Sequence, residues 1–209
     1  MKLKQKYYTD RKGRQHFLAA NFGKYLQGSV LDVGCSDNHL KNILKGQRIL
    51  GVDINKNADV VLNLEKQKLP FKKGEFDTVI CLEVLEHLNN FYEVFEDLLK
   101  IAKKYVIISL PNNYDIYTIS SIFRGKPMKQ YGLPPTPPED RHKWLFSLKE
   151  AIRFLKVNQR KYNYKIKEQL IHFNFKITIK NFWKVPFYYF IKLFRKNLVA
   201  TNIWFVLEK

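Results

Sequence analysis

The sequence predicts an α/β fold with a doubly wound sheet of about seven strands, mostly parallel, with an antiparallel last strand and helices on both faces. Two observations predict it. Short apolar runs, typical of buried strands, alternate with stretches of helical periodicity between residues 29 and 111. The first strand runs into a turn at Gly34, and the second ends in the acid Asp53. Because ligands of such sheets bind beyond the carboxyl ends of the strands, we expect the functional site there.

Composition favours a single globular domain over residues 1–209. Apolar residues make up 45% of the chain, which is long enough to bury a sizeable core. The start resembles no secretion signal, and no window holds the roughly 18 apolar residues of a spanning helix. Cys35 and Cys81 lack the spacing of a zinc site. We therefore expect a cytoplasmic protein without a metal.

The charge is uneven along the chain. The formal net charge is +18, and residues 106–209 hold 19 of the 37 basic but only 6 of the 19 acidic side chains. Such a field would attract nucleic acid, a lipid surface or a phosphorylated substrate. The alternative is a lysine-rich, solvated surface without a partner.

Residues 1–28 contain a predicted leading helix, over 9–27. Phe17, Leu18 and Phe22 recur at helical spacing, and Gly28 would stop the helix. The helix would lie across the mouth of the site. Arg11 and Arg14 are then expected to be solvated, with a carboxylate contact as the alternative.

The turn after the first strand carries acids, which indicates the charge of its ligand. A turn that cradles a pyrophosphate avoids acids, because the anion sits on backbone N–H groups. Here Asp32 and Asp37 flank the turn at Gly34. The ligand should therefore bear cationic groups, and S-adenosylmethionine, with its ammonium and sulfonium, fits.

The next two strands supply candidate contacts for a nucleoside. The second strand, over 48–54, reaches Asp53 at 19 positions after Gly34, a spacing typical of an acid that accepts both ribose hydroxyls. A third short strand, over 58–64, leads into a loop, where Asn63 or the backbone of Leu64 would meet the adenine edge. A strand over 76–82, a helix over 91–104 and a strand over 105–110 complete this cofactor-binding core, residues 29–111.

Residues 112–146 are predicted to be an irregular segment on the acceptor side of the site. Gly125, Gly132 and five prolines of residues 127–138 prevent a regular element, and long irregular segments in compact domains are usually functional. A helix then begins after Ser147, an N-cap with Glu150 three residues on.

The C-terminal part, residues 147–209, is predicted to hold strands around 164–173, 175–182 and 201–207. Between the last two lies a basic, aromatic helix within residues 183–199. Aromatic residues rimmed by lysine and arginine suit a membrane interface. An ordinary core helix is the alternative, and a nucleic-acid surface is less favoured because no binding module is recognised.

These motifs resemble those of class I S-adenosylmethionine-dependent methyltransferases, which have a Rossmann-like sheet. The similar segments are residues 30–37 (VLDVGCSD) and 51–53 (GVD). Residues 69–71, 76–81 and 83–88 (EVLEHL) resemble the small-molecule branch that includes quinone-biosynthesis O-methyltransferases. The family usually has glycine where this chain has Ser36 and Asn38, and often an acid at Asn63.

The resemblance implies a cofactor site at the carboxyl edge of the sheet. The methionine end would be held by Asp32, Gly34, Cys35 and Ser36, and Cys81 and Leu82 would pass close to it. The ribose would be held by Asp53 and Ile54, and the adenine by Asn63 and Leu64.

His87 and His142 are the candidate catalytic residues. Methyl transfer to a hydroxyl can need a base near pH 7, and histidine suits that task. His87 follows the fourth core strand and His142 ends the irregular segment; the alternative for each is a structural histidine.

The predicted function is S-adenosylmethionine-dependent O-methylation of a small, lipid-linked or sugar-linked acceptor. Two alternatives remain open: an RNA methyltransferase that uses the basic C-terminal half, and a non-catalytic cofactor-binding partner protein. The oligomeric state is left open.

Overall fold

A computed structural model describes residues 2–3, 8, 10–126, 130–133, 135–136, 138, 141–173 and 196–209. The strands are β1 (Lys2–Leu3), β2 (Ser29–Val33), β3 (Arg48–Asp53), β4 (Val60–Val61), β5 (Phe76–Leu82), β6 (Ala102–Pro111), β7 (Lys165–His172) and β8 (Asn202–Glu208). The helices are α1 (Arg11–Phe22), α2 (His39–Ile43), α3 (Phe91–Ile101), α4 (Ile116–Phe123), α5 (Leu148–Tyr162) and α6 (Lys196–Val199), with short 3₁₀ turns at Gly23–Tyr25 and Leu85–His87.

All eight strands form one sheet in the order β1-β7-β8-β6-β5-β2-β3-β4. Among the described strands, only β8 runs against the others, since it pairs antiparallel with both β6 and β7 while the other pairings are parallel. The predicted doubly wound sheet with an antiparallel last strand is confirmed. Beyond the predicted strands the sheet contains the two-residue β1, which pairs with β7.

Helices cover both faces of the sheet because its strands are apolar on both sides. In β2, Val30 belongs to the apolar cluster that contains Phe17 and Leu18 of α1, whereas Leu31 belongs to the cluster on the opposite face that contains Phe95 of α3. Such continuous apolar strands are typical of a parallel sheet buried on both faces.

The strand ends that matter for function lie in register. Val33 of β2 pairs with Val52 of β3 and with Cys81 of β5, and Leu82 pairs with Ser109 of β6. The turns after β2, β3, β5 and β6 therefore share one edge of the sheet, which we call the carboxyl edge.

The segment after β6 is more regular than the sequence analysis expected. Residues 116–123 form α4, whose N-cap Asp115 accepts hydrogen bonds from the amides of Tyr117 and Thr118. The glycines and prolines that suggested an irregular segment all lie after this helix, at residues 125–138. The capping box at Ser147 and Glu150 is present as predicted.

The C-terminal predictions are met in part. Strand β7 and strand β8 match two of the three predicted strands. The third, over 175–182, and most of the predicted basic, aromatic helix over 183–199 lie outside the described residues. In the described ranges, no helix combines the length and apolar character needed to cross a membrane.

Candidate functional site

The turn after β2 requires glycine for two reasons. Gly34 has φ +82°, and a Cβ built on it would lie 2.1 Å from Cγ2 of Val84. The amides of Gly34 and Cys35 donate to the carbonyl oxygen of Val52, at 2.8 and 3.2 Å. The turn is thus held against β3, with the end of β5 packed directly over it.

Ser36 and Asn38, which stand where the family usually has glycine, adopt the backbone conformation that glycine favours. Ser36 and Asn38 both have φ +56°. The Asn38 side chain lies over Gly51, where a Cβ would come 1.9 Å from Oδ1 of Asn38, and its Nδ2 donates to the Asn57 carbonyl at 2.9 Å. An asparagine tolerates this conformation better than most residues, so the turn keeps its shape.

Asp53 lies at the end of β3 with its carboxylate facing the turn. Oδ2 accepts from the amide of Ser36 at 2.7 Å, and Oδ1 accepts from the amide of Asn55 at 2.9 Å. A carboxylate has about four lone-pair sites, so two further donors, such as two vicinal hydroxyls, can still be accommodated. The next side chain, Ile54, is 68% exposed and offers an apolar surface beside them.

Asp32 is a buried acid below the turn. Its pKa is raised to about 7, mainly by burial; the nearby Arg14 guanidinium opposes this rise and the charge of Asp53 adds to it. A cationic group bound at the turn would favour the ionised carboxylate.

Arg14 was expected to be solvated, and the structure contradicts this. Its Nη1 lies 2.6 Å from Oε2 of Glu83 and 3.3 Å from the Leu82 carbonyl oxygen, and its side chain is only 13% exposed. The neighbouring Arg11 donates from Nη1 to Oγ of Ser36 at 2.8 Å. Helix α1 therefore brings two guanidinium groups to the carboxyl edge. The carboxylate contact given as the alternative is found for Arg14, whereas Arg11 is exposed, as expected.

The remaining predicted cofactor residues lie along the same edge. Cys35 and Cys81 are buried free thiols, and Leu82 is nearly buried at the end of β5. Burial raises the pKa of the Cys35 thiol to about 12, so the thiol is protonated near neutral pH. Asn63 begins a turn in which its Oδ1 accepts from the amide of Glu65 at 2.9 Å, and the Leu64 carbonyl accepts from Nδ2 of Asn90 at 2.7 Å.

The two predicted catalytic histidines meet, although 55 positions separate them in sequence. Their ring centroids are 4.5 Å apart and the rings are nearly perpendicular, at 86°. Residues 141–144 are held against the 3₁₀ turn that carries His87, because the amides of Lys143 and Trp144 both donate to the Glu86 carbonyl oxygen, at 2.8 and 3.3 Å.

Hydrogen bonds orient both imidazoles in the same way. The Tyr131 hydroxyl donates to the Trp144 carbonyl at 2.7 Å, so at 3.1 Å it accepts from Nδ1 of His142. Nδ1 of His87 lies 3.3 Å from the carbonyl oxygen of Arg141, to which it can only donate. In its neutral form, a ring that donates from Nδ1 has its lone pair on Nε2, and Nε2 of His87 lies 3.8 Å from Oε1 of Glu86.

A buried carboxylate completes this group, which we call the histidine cluster: Glu86, His87 and His142. One ligand atom from each lies within 4.8 Å of the others. Two imidazoles and a carboxylate form a donor set that suits a divalent cation. The sequence predicts no metal, and that prediction stays untested. It depends on the lack of closely spaced cysteines and histidines, whereas the two histidines of this cluster are far apart in the sequence.

The residues of the carboxyl edge fit S-adenosylmethionine. Asp53 retains lone pairs for ribose hydroxyls, and the acid Asp32 and the guanidinium of Arg14 suit the ammonium and carboxylate of a methionine end. The individual roles of these side chains stay predictions.

Comparisons with known proteins agree with this geometry. A family model described as a methyltransferase domain matches residues 8–173. The chain is 32% identical over 91 residues to a ubiquinone biosynthesis O-methyltransferase of Dechloromonas aromatica, with 35% of this chain and 39% of that protein covered. It is 26% identical over 133 residues to the mitochondrial ubiquinone biosynthesis O-methyltransferase of Saccharomyces cerevisiae, with 54% and 43% covered. The matches thus span less than half the length of these relatives.

A solved structure shares the fold. A SAM dependent methyltransferase from Archaeoglobus fulgidus matches with a TM-score of 0.57 at 18% identity, over 96% of this chain and 95% of that one. The comparisons confirm the family expected from the sequence and support S-adenosylmethionine as its cofactor. Since the family model covers more than half of the chain, the chain belongs to the methyltransferase-domain family.

Proposed function

We propose that this protein transfers a methyl group from S-adenosylmethionine to a hydroxyl of a small, lipid-linked or sugar-linked acceptor. The observation that carries the proposal is the meeting of His87 and His142, with perpendicular rings 4.5 Å apart, just beyond β5. Strand β5 neighbours β2, so the histidine cluster and the Gly34 turn share the carboxyl edge. The two curated relatives, both named O-methyltransferases, support oxygen as the acceptor atom.

The chain's own residues would position the acceptor and handle its proton. When bound, the cofactor supplies an electrophilic methyl group, so the protein needs mainly alignment and exclusion of water. A hydroxyl becomes a better nucleophile when a base accepts its proton. In its neutral form, an imidazole that donates from Nδ1 has its lone pair on Nε2, which makes either histidine suitable as that base.

The histidine cluster also supports a variant of this chemistry. A divalent cation held by Glu86, His87 and His142 would lower the pKa of an acceptor hydroxyl and replace the base. The two mechanisms differ in their response to chelators, whereas both require the same side chains.

A labelled-methyl assay on lipid, sugar and RNA fractions tests the function. We expect a hydroxyl acceptor in the lipid or sugar fraction, and at least a hundredfold loss of turnover in His142→Ala or His87→Ala. His16→Ala, which changes an exposed histidine of α1, is the matched control. Loss of activity with a chelator and recovery with added Mg²⁺, Mn²⁺ or Zn²⁺ would identify the cation mechanism.

The same assay addresses the alternatives. Methylation confined to the RNA fraction, with salt-sensitive binding, would replace the proposal with an RNA methyltransferase. Cofactor binding without transfer to any fraction would indicate a non-catalytic partner protein.

A further inference from the structure

Helix α4 displays an apolar face that the described part of the protein does not bury. At 100° per residue, Ile116, Ile119, Ile122 and Phe123 fall on one side, and the more polar residues fall on the other: Tyr117, Thr118, Ser120, Ser121 and Arg124. We call the first set the α4 apolar face. No residue of α4 is fully buried, and Ile122 and Phe123 are 54% and 87% exposed.

Basic residues follow the exposed end of this face. Arg124 and Lys126 come directly after α4 and are both exposed, and Nε of Arg124 donates to the Ser120 carbonyl at 3.1 Å, along the helix. The acid nearest in sequence is Asp115, which caps the opposite end of the helix. Apolar and aromatic side chains beside lysine and arginine form the composition of helices that lie in an anionic membrane interface.

The position of α4 relates this face to the carboxyl edge. The helix follows the end of β6, and its base is fixed by Asn112, whose Nδ2 donates to the Ala200 carbonyl at 2.7 Å, and by Asn113, whose amide donates to the Phe146 carbonyl at 3.1 Å. A surface that rests on the α4 apolar face would therefore meet the protein at the edge that carries the Gly34 turn and the histidine cluster.

We propose that the α4 apolar face, with Arg124 and Lys126, docks the protein on the surface of an anionic lipid bilayer. Four side chains of one short helix cover a few hundred Å², well below the ~800 Å² per partner of a stable protein interface. A bilayer needs no such area, because it takes up single apolar side chains and attracts the adjacent cations. The net charge of +18 adds to that attraction. Docking does not depend on the proposed methyl transfer.

Vesicle co-sedimentation of the full chain tests the proposal. The vesicles are phosphatidylcholine alone, or phosphatidylcholine mixed with phosphatidylglycerol. We expect the double variant Ile122→Ser/Phe123→Ser to lower the partition coefficient on mixed vesicles at least tenfold. Val157→Ser, which changes a 69% exposed apolar residue of α5, is the matched control and should change it less than twofold.

A second pair of variants tests the role of charge. Arg124→Gln/Lys126→Gln should weaken binding to mixed vesicles by roughly fivefold per charge, with a smaller effect on phosphatidylcholine alone. Arg153→Gln/Lys156→Gln removes two exposed charges of α5 and should weaken binding much less.

Three results would overturn the proposal. The first is an unchanged partition coefficient in Ile122→Ser/Phe123→Ser, and the second is an equal loss in the α5 charge variant. The third is a fall of several degrees in Tm of Ile122→Ser/Phe123→Ser without vesicles, which would show that another segment of the chain covers the face.

Discussion

The guanidinium of Arg14 and the carboxylate of Glu83 form an ion pair of 2.6 Å that joins α1 to the end of β5. Oε1 of Glu83 also accepts a hydrogen bond from Nδ2 of the Asn202 side chain in β8. It does so at φ +54°, in the left-handed region that costs a residue with a side chain roughly 1–2 kcal/mol. The pair thus holds three elements together at the carboxyl edge and presents a guanidinium there.

Replacing Arg14 should weaken cofactor binding. Arg14→Gln removes the cation that lowers the pKa of Asp32 and that we expect to face the cofactor's carboxylate. We predict at least a tenfold rise in the Kd for S-adenosylhomocysteine, measured by calorimetric titration. Arg48→Gln, which changes an exposed arginine at the start of β3, is the control. An equal Kd for wild type and Arg14→Gln would exclude this role.

The carboxylate of Asp53 should be needed for the ribose. Asp53→Ala removes the acceptors for two hydroxyls and also frees the amides of Ser36 and Asn55. We expect at least a tenfold loss of affinity for S-adenosylmethionine by calorimetry, because hydrogen bonds to a charged group contribute about 1.5–3 kcal/mol each. Asp37→Ala changes an exposed acid in the same turn and should bind normally. If the two variants bound alike, Asp53 would not be the ribose ligand.

Two glycines with the same φ allow the cost of backbone strain to be distinguished from the cost of a steric clash when each is replaced by alanine. Gly34 and Gly46 both have φ +82°, but a Cβ meets Val84 at Gly34 and nothing within 4 Å at Gly46. Gly46→Ala should cost about 1–2 kcal/mol of unfolding free energy in a urea titration. Gly34→Ala should cost more, since Val84 must move, and should abolish cofactor binding. Equal costs in the two variants would show that Val84 yields freely.

The buried Asp32 should make stability depend on pH. Its folded pKa, about 7, lies above the ordinary value of 3.8, so its stabilising contribution is complete below about pH 4 and is lost as the pH rises through 7. Between about pH 5 and pH 8 the free energy of unfolding of the cofactor-free protein should fall by roughly 3 kcal/mol more in wild type than in Asp32→Asn. Parallel pH profiles would show that Asp32 does not titrate in this range.

The sheet could be predicted from the sequence because its strands are locally encoded. Apolar runs, the Gly34 turn and the spacing to Asp53 all lie within short windows, and each is found where expected. Strand β1 has two residues, too few for any periodicity to show. Helix α4 was missed because the surrounding glycines and prolines outweighed the helical spacing of its isoleucines.

The residue types of the candidate site could be predicted from the sequence, but the contacts between residues far apart in the chain could not. His87 and His142 were each identified by type, but their meeting depends on hydrogen bonds from residues 143 and 144 to the Glu86 carbonyl. Arg14 was expected to be solvated because its partner, Glu83, lies about 70 positions away and is brought near only by the packing of α1 on the sheet. Long-range ion pairs leave no periodic trace in a sequence.

The place of β8 in the sheet has a consequence for folding. Strands β1 and β7 reach the other five strands only through β8, whose residues 203–207 are fully buried. Val106 pairs with Leu207, about 100 positions away in sequence, so this closure brings a large loss of chain entropy before its contacts form. Strands β2 to β6 can pair during an early stage, while β7 has only the two-residue β1 as a described neighbour until β8, which follows it in the chain, is in place. A partly folded form with the edge of β6 exposed is therefore the species most prone to aggregate, and C-terminal truncation would trap it.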